Sequence, residues 1–236
     1  GNAFPKTLAK LQRPDLAPPN TRTLDLVNFG RHLVEDDIDP PLRALFIYNH
    51  NPIVVHPDQN RMRRGLARDD IFSVGIEVAM TESMAHCDIV LSAATHFEYP
   101  DLYAAYGQHW LQRAEPVIPP LGESLPNTEI FRRLAARFGF DDPCFEASDA
   151  ELMDEAIDAA DPRLGGTRPS EISTANAVSM TASDGKPMVL FENVFPSTPS
   201  GKVELKSEAL ATRWGDGALY PEWREQPAVS AYPLQL

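Results

Sequence analysis

Between residues 43 and 94 the chain alternates three apolar runs with two polar segments, and few folds accept that order. "RALFIYN" (43–49), "IFSVGIE" (71–77) and "DIVLSAA" (88–94) read as strands rich in β-branched and aromatic residues. "PDQNRMRRGLARDD" (57–70) reads as a helix with Asp58 in the N-cap position. "TESMAHC" (81–87) reads as a shorter helix begun by Thr81. A β-α-β-α-β order implies parallel strands joined by right-handed crossovers. The strands are near-continuous apolar runs, as expected where helices cover both faces of a sheet.

The flanks carry weaker signals. Residues 1–25 are rich in Pro, Asn, Thr and Lys and are expected to form an extended arm, and 24–35 have the spacing of a short helix. "NTEIFRRLAARFG" (127–139) sets Ile130, Phe131, Leu134, Ala135 and Phe138 on one helical face, with Gly139 as the stop. "SDAELMDEAIDAA" (148–160) opens on a capping box, Ser148 to Glu151. Residues 161–187 are expected to be a long surface loop. "GKVELKS" (201–207) alternates at period two and predicts a strand, so 196–236 reads as a C-terminal hairpin and extended tail. The whole of 1–236 is taken as one α/β domain, and its apolar last residues suggest a fragment of a larger enzyme.

Composition excludes several partners. A net charge of −13 repels nucleic acid, and Arg61, Arg63, Arg64 and Arg68 read as the solvated face of one helix. No window approaches the roughly 20 apolar residues of a membrane span. The N-terminus, Gly1-Asn2-Ala3, has no basic or apolar leader, and the expected compartment is the cytoplasm. Cys87 and Cys144 lack CxxC spacing, which argues against a disulfide scaffold, a zinc site or an iron–sulfur cluster within this chain. The six histidines form no HExxH and no i,i+4 pair, so no metal site is expected from them. GxSxG is absent as well.

Ligands of open parallel sheets sit beyond the carboxyl ends of the strands. Three loops fall there: Asn49-His50-Asn51-Pro52, Glu77 to Thr81, and Thr95-His96-Phe97-Glu98. A carboxylate at Glu77 can accept from a ribose diol or from the N1 and N2 donors of guanine; it can also simply begin a solvated loop. Thr81 can cap a helix, contact a ligand, or both. Asn51-Pro52 is a turn or a contact. His50 and His96 read as exposed, and Phe97, Tyr99, Tyr103, Tyr106 and Trp110 as packing under a long connection. No GxGxxG follows any strand, which disfavours an ordinary NAD-binding unit.

Four strings, in order, resemble the molybdopterin oxidoreductases of the dimethyl-sulfoxide-reductase type. They are "LRALFIYNHNPIVVHPD", "EVAMTESMAHCDIVLSAATHFE", "DLYAAYGQHWLQRAEPVIPPLGESLPNTEIFRRLAARFG" and "FPSTPSGKVELKSE". The sequence departs from the family pattern at Cys87 (usually Ala), Ser92 (usually Pro) and Ser83-Met84 (usually Thr-Ala).

The resemblance implies the interior third domain of a molybdenum enzyme: a three-layer, Rossmann-like α/β fold with a mostly parallel sheet, and 44–140 as its nucleotide-binding core. It implies that this domain binds the guanosine end of one nucleotide of a bis(molybdopterin guanine dinucleotide) cofactor. Glu77 and Thr81 match the nucleotide-binding positions, Asn51 and Asn127 are further contacts, and Glu98 and Glu123 lie nearer the periphery. No residue here matches a molybdenum ligand or a catalytic group. An iron–sulfur cluster can belong to the missing N-terminal part. The partners implied are the other domains of the same polypeptide and a small-molecule redox substrate of the parent. Two other functions remain open: a stand-alone guanine-nucleotide-binding regulatory module, and a purely structural domain without ligand.

Overall fold

The computed structural model describes residues 13, 15–16, 18–104, 107–182 and 184–215. The expected arm (1–25) and tail (196–236) are therefore described only in part, and Tyr106 lies outside the described residues. The chain divides into two compact units, residues 1–181 and 182–236.

Three parallel strands form the centre of the first unit, β1 (Ala44–Tyr48), β2 (Phe72–Glu77) and β3 (Ile89–Ser92), in the order β1-β2-β3. The register aligns Ile47, Gly75 and Val90 on one face and Tyr48, Ile76 and Leu91 on the other. Leu125 extends the sheet beyond β3: its N–H donates to Ser92 at 3.2 Å, and its carbonyl accepts from Ala94 at 2.8 Å.

Helices cover both faces, so no strand needs to alternate in polarity. Helices α1 (Phe29–Glu35), α2 (Pro52–Val55) and α3 (Gln59–Leu66) lie on the first face. There Leu33, Ile53, Met62, Leu66 and Met84 pack with Ile47 into one buried cluster. Two glycines permit that packing. A Cβ on Gly65 would lie 2.4 Å from Leu33 Cβ, so α1 and α3 cross in contact. A Cβ on Gly75 would lie 2.3 Å from Met84 Sδ, so the segment after β2 seats directly on the sheet. On the second face, α4 (Asn127–Phe138) sets Ile130, Phe131 and Leu134 against Ile76, Leu91 and Ala93. Phe131 meets Tyr48 edge-on, with ring centroids 5.1 Å apart.

Local signals placed several elements. The Asp58 side chain accepts from the Arg61 N–H, and the capping box of Ser148 and Glu151 opens α5 (Asp149–Ala156). Gly139 ends α4 with a left-handed φ of 74°. Arg61 and Arg63 of α3 pair with Asp58 and Glu82, whereas Arg68, expected on the same solvated face, lies past the helix end and is largely buried: it pairs with Asp36 and Asp70 and donates to the Leu33 carbonyl at 2.6 Å.

Other expectations need correction. The helix expected over 81–87 contracts to one 3-10 turn, Met84–His86. The sheet is not mostly parallel across the unit, because a second, antiparallel sheet joins β4 (Asp101–Tyr103), β5 (Trp110–Ala114) and β6 (Val178–Ser179). The stretch 161–187 does not run as a free surface loop. It supplies β6 and buries Leu164, Ile172 and Met180. Arg113 donates through Nε to the Ile172 carbonyl at 2.8 Å, and Ser170 donates to Asp154 through both N–H and hydroxyl. In the second unit, 201–207 forms no strand. Val203 and Leu205 are exposed, and no strand among the described residues pairs with this stretch, so its period-two pattern joins no sheet there. Ser207 instead caps α6 (Glu208–Trp214). Among the described residues no helix is long and apolar enough to cross a membrane.

Candidate functional site

The three predicted loops do lie at the carboxyl ends of β1, β2 and β3, and internal hydrogen bonds hold them. After β1 the chain turns through Asn49, at a φ of 50°, into His50 and Asn51. Asn51 Oδ1 accepts from the Ser83 hydroxyl at 2.6 Å, and Ser83 Oγ accepts from the Ile53 N–H at 3.0 Å. Ser83 is fully buried, so one hydroxyl joins the first loop to the second.

Glu77 ends β2 opposite Ser92, half-buried, with Oε1 accepting from the Val78 N–H at 2.8 Å. Thr81 Oγ1 accepts from the Met84 N–H at 3.3 Å, the capping geometry expected of it. Glu98 is buried, and both of its oxygens are engaged. One accepts from the Thr95 N–H and the other from the Leu121 N–H, each at 2.6 Å. The amides of Thr95, and then of Leu121, hold its carboxyl below the ordinary carboxylate range. Glu98 thus ties the third loop to the segment before α4.

His50 is half-buried rather than exposed, and its Nε2 lies 2.7 Å from Nε2 of His56. Burial, and then the neighbouring His50, push the His56 imidazole below its usual pKa. His96 is exposed, with its ring against Phe97. Among the described residues no group of three or more His, Cys, Asp or Glu is placed to hold a metal ion.

Beneath the end of β1 lies a cavity of about 680 Å3. Tyr48, Tyr99, Leu102, Leu111, Met153 and Ile157 form its largely apolar wall. Its polar groups besides the tyrosine hydroxyls are few: Asp101, Asn127, Thr128 and Asp149. Asn127, the first residue of α4, has a buried Oδ1 with no hydrogen-bond partner. Leaving such an acceptor unpaired costs about 1–3 kcal/mol, which a bound donor would recover. Asp149 pairs with Arg132 at 2.8 Å. Asp101 accepts from the Leu102 N–H at 2.7 Å, and burial pushes its carboxyl up, with Asp149 adding to the shift. Glu77 is not on the cavity wall, and Glu123 is exposed at a second cavity of about 460 Å3 between β3 and α4.

The structure therefore joins Asn51 to the Thr81–Ser83 loop and sets Asn127 in a cavity below β1. Sequence reasoning missed Ser83, His56 and Asp101. Only Ser83 carried a signal, as the polar residue of a short capped segment.

A parallel sheet with helices on both faces, feeding polar loops above an apolar-walled cavity, defines an α/β domain of the kind that places ligands at strand ends. Residues 21–137 match the family model described as Molybdopterin oxidoreductase, and the chain belongs to that family. It is 44% identical over 202 residues to "Probable oxidoreductase YoaE" of Bacillus subtilis, covering 85% of this chain and 29% of that protein. It is 27% identical to trimethylamine-N-oxide reductase 1 of Escherichia coli, covering 84% of this chain and 26% of the relative. Among solved structures, acetylene hydratase from Pelobacter acetylenicus shares the fold, with a TM-score of 0.62 at 22% identity over 85% of this chain and 26% of that one. The chain thus spans between a quarter and a third of the length of these proteins.

Proposed function

We propose that this chain is the domain of a molybdenum-dependent oxidoreductase that binds the guanosine end of one molybdopterin guanine dinucleotide, in a three-layer Rossmann-like arrangement. The observation that carries the reading is the buried, unpartnered Oδ1 of Asn127, a residue that lines the cavity below β1. A purine with N–H donors would supply that missing partner, and Tyr48 and Tyr99 offer aromatic walls for a planar base. The residues present therefore fit a nucleoside.

The remaining roles follow from position. Glu77 has one oxygen engaged by the Val78 amide, and its carboxylate accepts from the ribose hydroxyls. Thr81 contributes its hydroxyl beside it. Asn51, joined to Ser83, holds the first loop in place. Glu98 positions the third loop, since both of its oxygens are already engaged. With no glycine-rich turn after any strand, the pyrophosphate is held chiefly by other parts of the parent.

When bound, the metal–pterin group supplies the two-electron redox chemistry, and this domain supplies binding and orientation. The parent would act on a small-molecule redox substrate, its remaining domains would supply the metal ligand, and the isolated chain would show no turnover.

The test is thermal unfolding of the 236-residue chain with millimolar GMP, GDP, AMP or NAD, for the wild type and Asn127→Ala. A nucleotide at ten times its dissociation constant adds about 1.4 kcal/mol, a shift of a few degrees. The expected result is a shift with GMP and GDP alone, lost in Asn127→Ala. A shift with AMP or NAD instead would favour an ordinary dinucleotide domain, and no shift would favour a structural domain without ligand.

A further inference from the structure

We propose that Asp101 is the residue that selects guanine, its carboxylate accepting from N1–H and N2–H on the Watson–Crick edge of the base. This inference rests on the guanosine reading above and assigns the discriminating contact to one side chain.

Only two carboxylates line the cavity, and they differ in their partners. Asp149 is neutralised by Arg132 at 2.8 Å. Asp101 takes part in no ion pair among those of the described residues, and its hydrogen bond at 2.7 Å comes from the adjacent Leu102 amide. It is therefore the acceptor on this wall with most to gain from new donors. Asn127 adds a second, buried acceptor, and beside the hydroxyls of Tyr48, Tyr99 and Thr128 these two are the groups on the wall that a donor-rich ligand would satisfy.

Guanine meets that demand. It offers N1–H and an N2 amino group side by side, two donors for a carboxylate and a further N–H for the Asn127 carbonyl. Adenine shows an amino group beside an acceptor nitrogen, hypoxanthine lacks the N2 amine, and xanthine places a carbonyl where guanine has that amine. Burial already pushes the Asp101 carboxyl up, so two N–H donors would relieve a cost that the empty cavity leaves standing. Glu77 could accept the same pair of donors, but it lies off the cavity wall.

The experiment measures binding of GMP, IMP, XMP and AMP to the 236-residue chain by calorimetry, for the wild type, Asp101→Asn and Glu77→Gln. The wild type should prefer GMP over IMP and XMP by on the order of tenfold or more, the discrimination typical of a two-point polar contact to a base. Asp101→Asn replaces one acceptor with a donor that suits the xanthine carbonyl, so its preference should turn from GMP to XMP. That gain requires a folded protein and separates recognition from stability. If Asp101→Asn keeps the GMP preference, or if Glu77→Gln is the variant that turns to XMP, Asp101 is not the selecting residue, while the guanosine site itself stands. If the wild type binds no guanine nucleotide, the guanosine reading fails and this inference with it.

Discussion

The two three-stranded sheets of the first unit differ in what covers them. The parallel sheet is backed on one face by the cluster around Leu33, Ile47 and Met62, and on the other by Ile76, Ala93 and Ile130. The antiparallel sheet has strands of three, five and two residues, and Leu111 is its only buried strand residue. Where two layers of helix demand apolar side chains on both faces, the strand is written into the sequence as a run. Where a sheet is short and half-covered, the sequence carries no such mark.

That contrast can be broken by experiment. Leu33 is fully buried between α1 and α3, and Leu33→Ala should destabilise the chain by about 3 kcal/mol in urea unfolding. Leu111→Ala, in the antiparallel sheet, should cost less, about 2 kcal/mol, because the cavity it lines already limits its packing. Equal losses at the two sites would show that both sheets belong to one equally packed core.

The smallest effect concerns acid. Asp88 accepts from the Ser73 N–H at 2.7 Å and the Ser73 hydroxyl at 2.9 Å, tying β3 to β2, and Glu98 accepts from two amides. Both carboxyls are held below their ordinary values, Asp88 by Ser73 and Glu98 by Thr95 first. A depressed folded value means that the unfolded chain binds more protons at low pH. The stabilisation is therefore complete above the ordinary carboxylate range, near pH 4, and is lost as pH falls through the folded values. The urea midpoint should fall between pH 6 and pH 3, and Asp88→Asn should flatten that decline. An unchanged slope in Asp88→Asn would mean that the Ser73 bonds contribute nothing on balance.

Legibility followed the range of the contacts. The alternation over 43–94, the Asp58 cap, the Ser148–Glu151 box and the Gly139 stop all depend on near neighbours, and all were readable. The antiparallel sheet was not, because β5 finds β6 67 to 69 residues away, and Arg113 reaches Ile172 across 59. The strand expected at 201–207 failed for the complementary reason: its local pattern was present, but no partner strand lies among the described residues. In the candidate site, strand-end loops could be located from the alternation alone. The cavity could not, since its wall draws on residues 48, 99, 127, 149 and 157 together. Asp101 has no local signature that separates it from any acid opening a short strand.

The Ser83 hydroxyl has a consequence for binding entropy. Because it holds the Asn51 side chain and the Ile53 amide at once, the first two loops are ordered when the domain folds. A molecule arriving at the strand ends meets a rim that is already rigid, and little of its affinity is spent on ordering it. The amide proton of Ile53, locked to a buried oxygen, should exchange with solvent only as slowly as that junction opens, which makes a single resonance a gauge of the rim's stiffness.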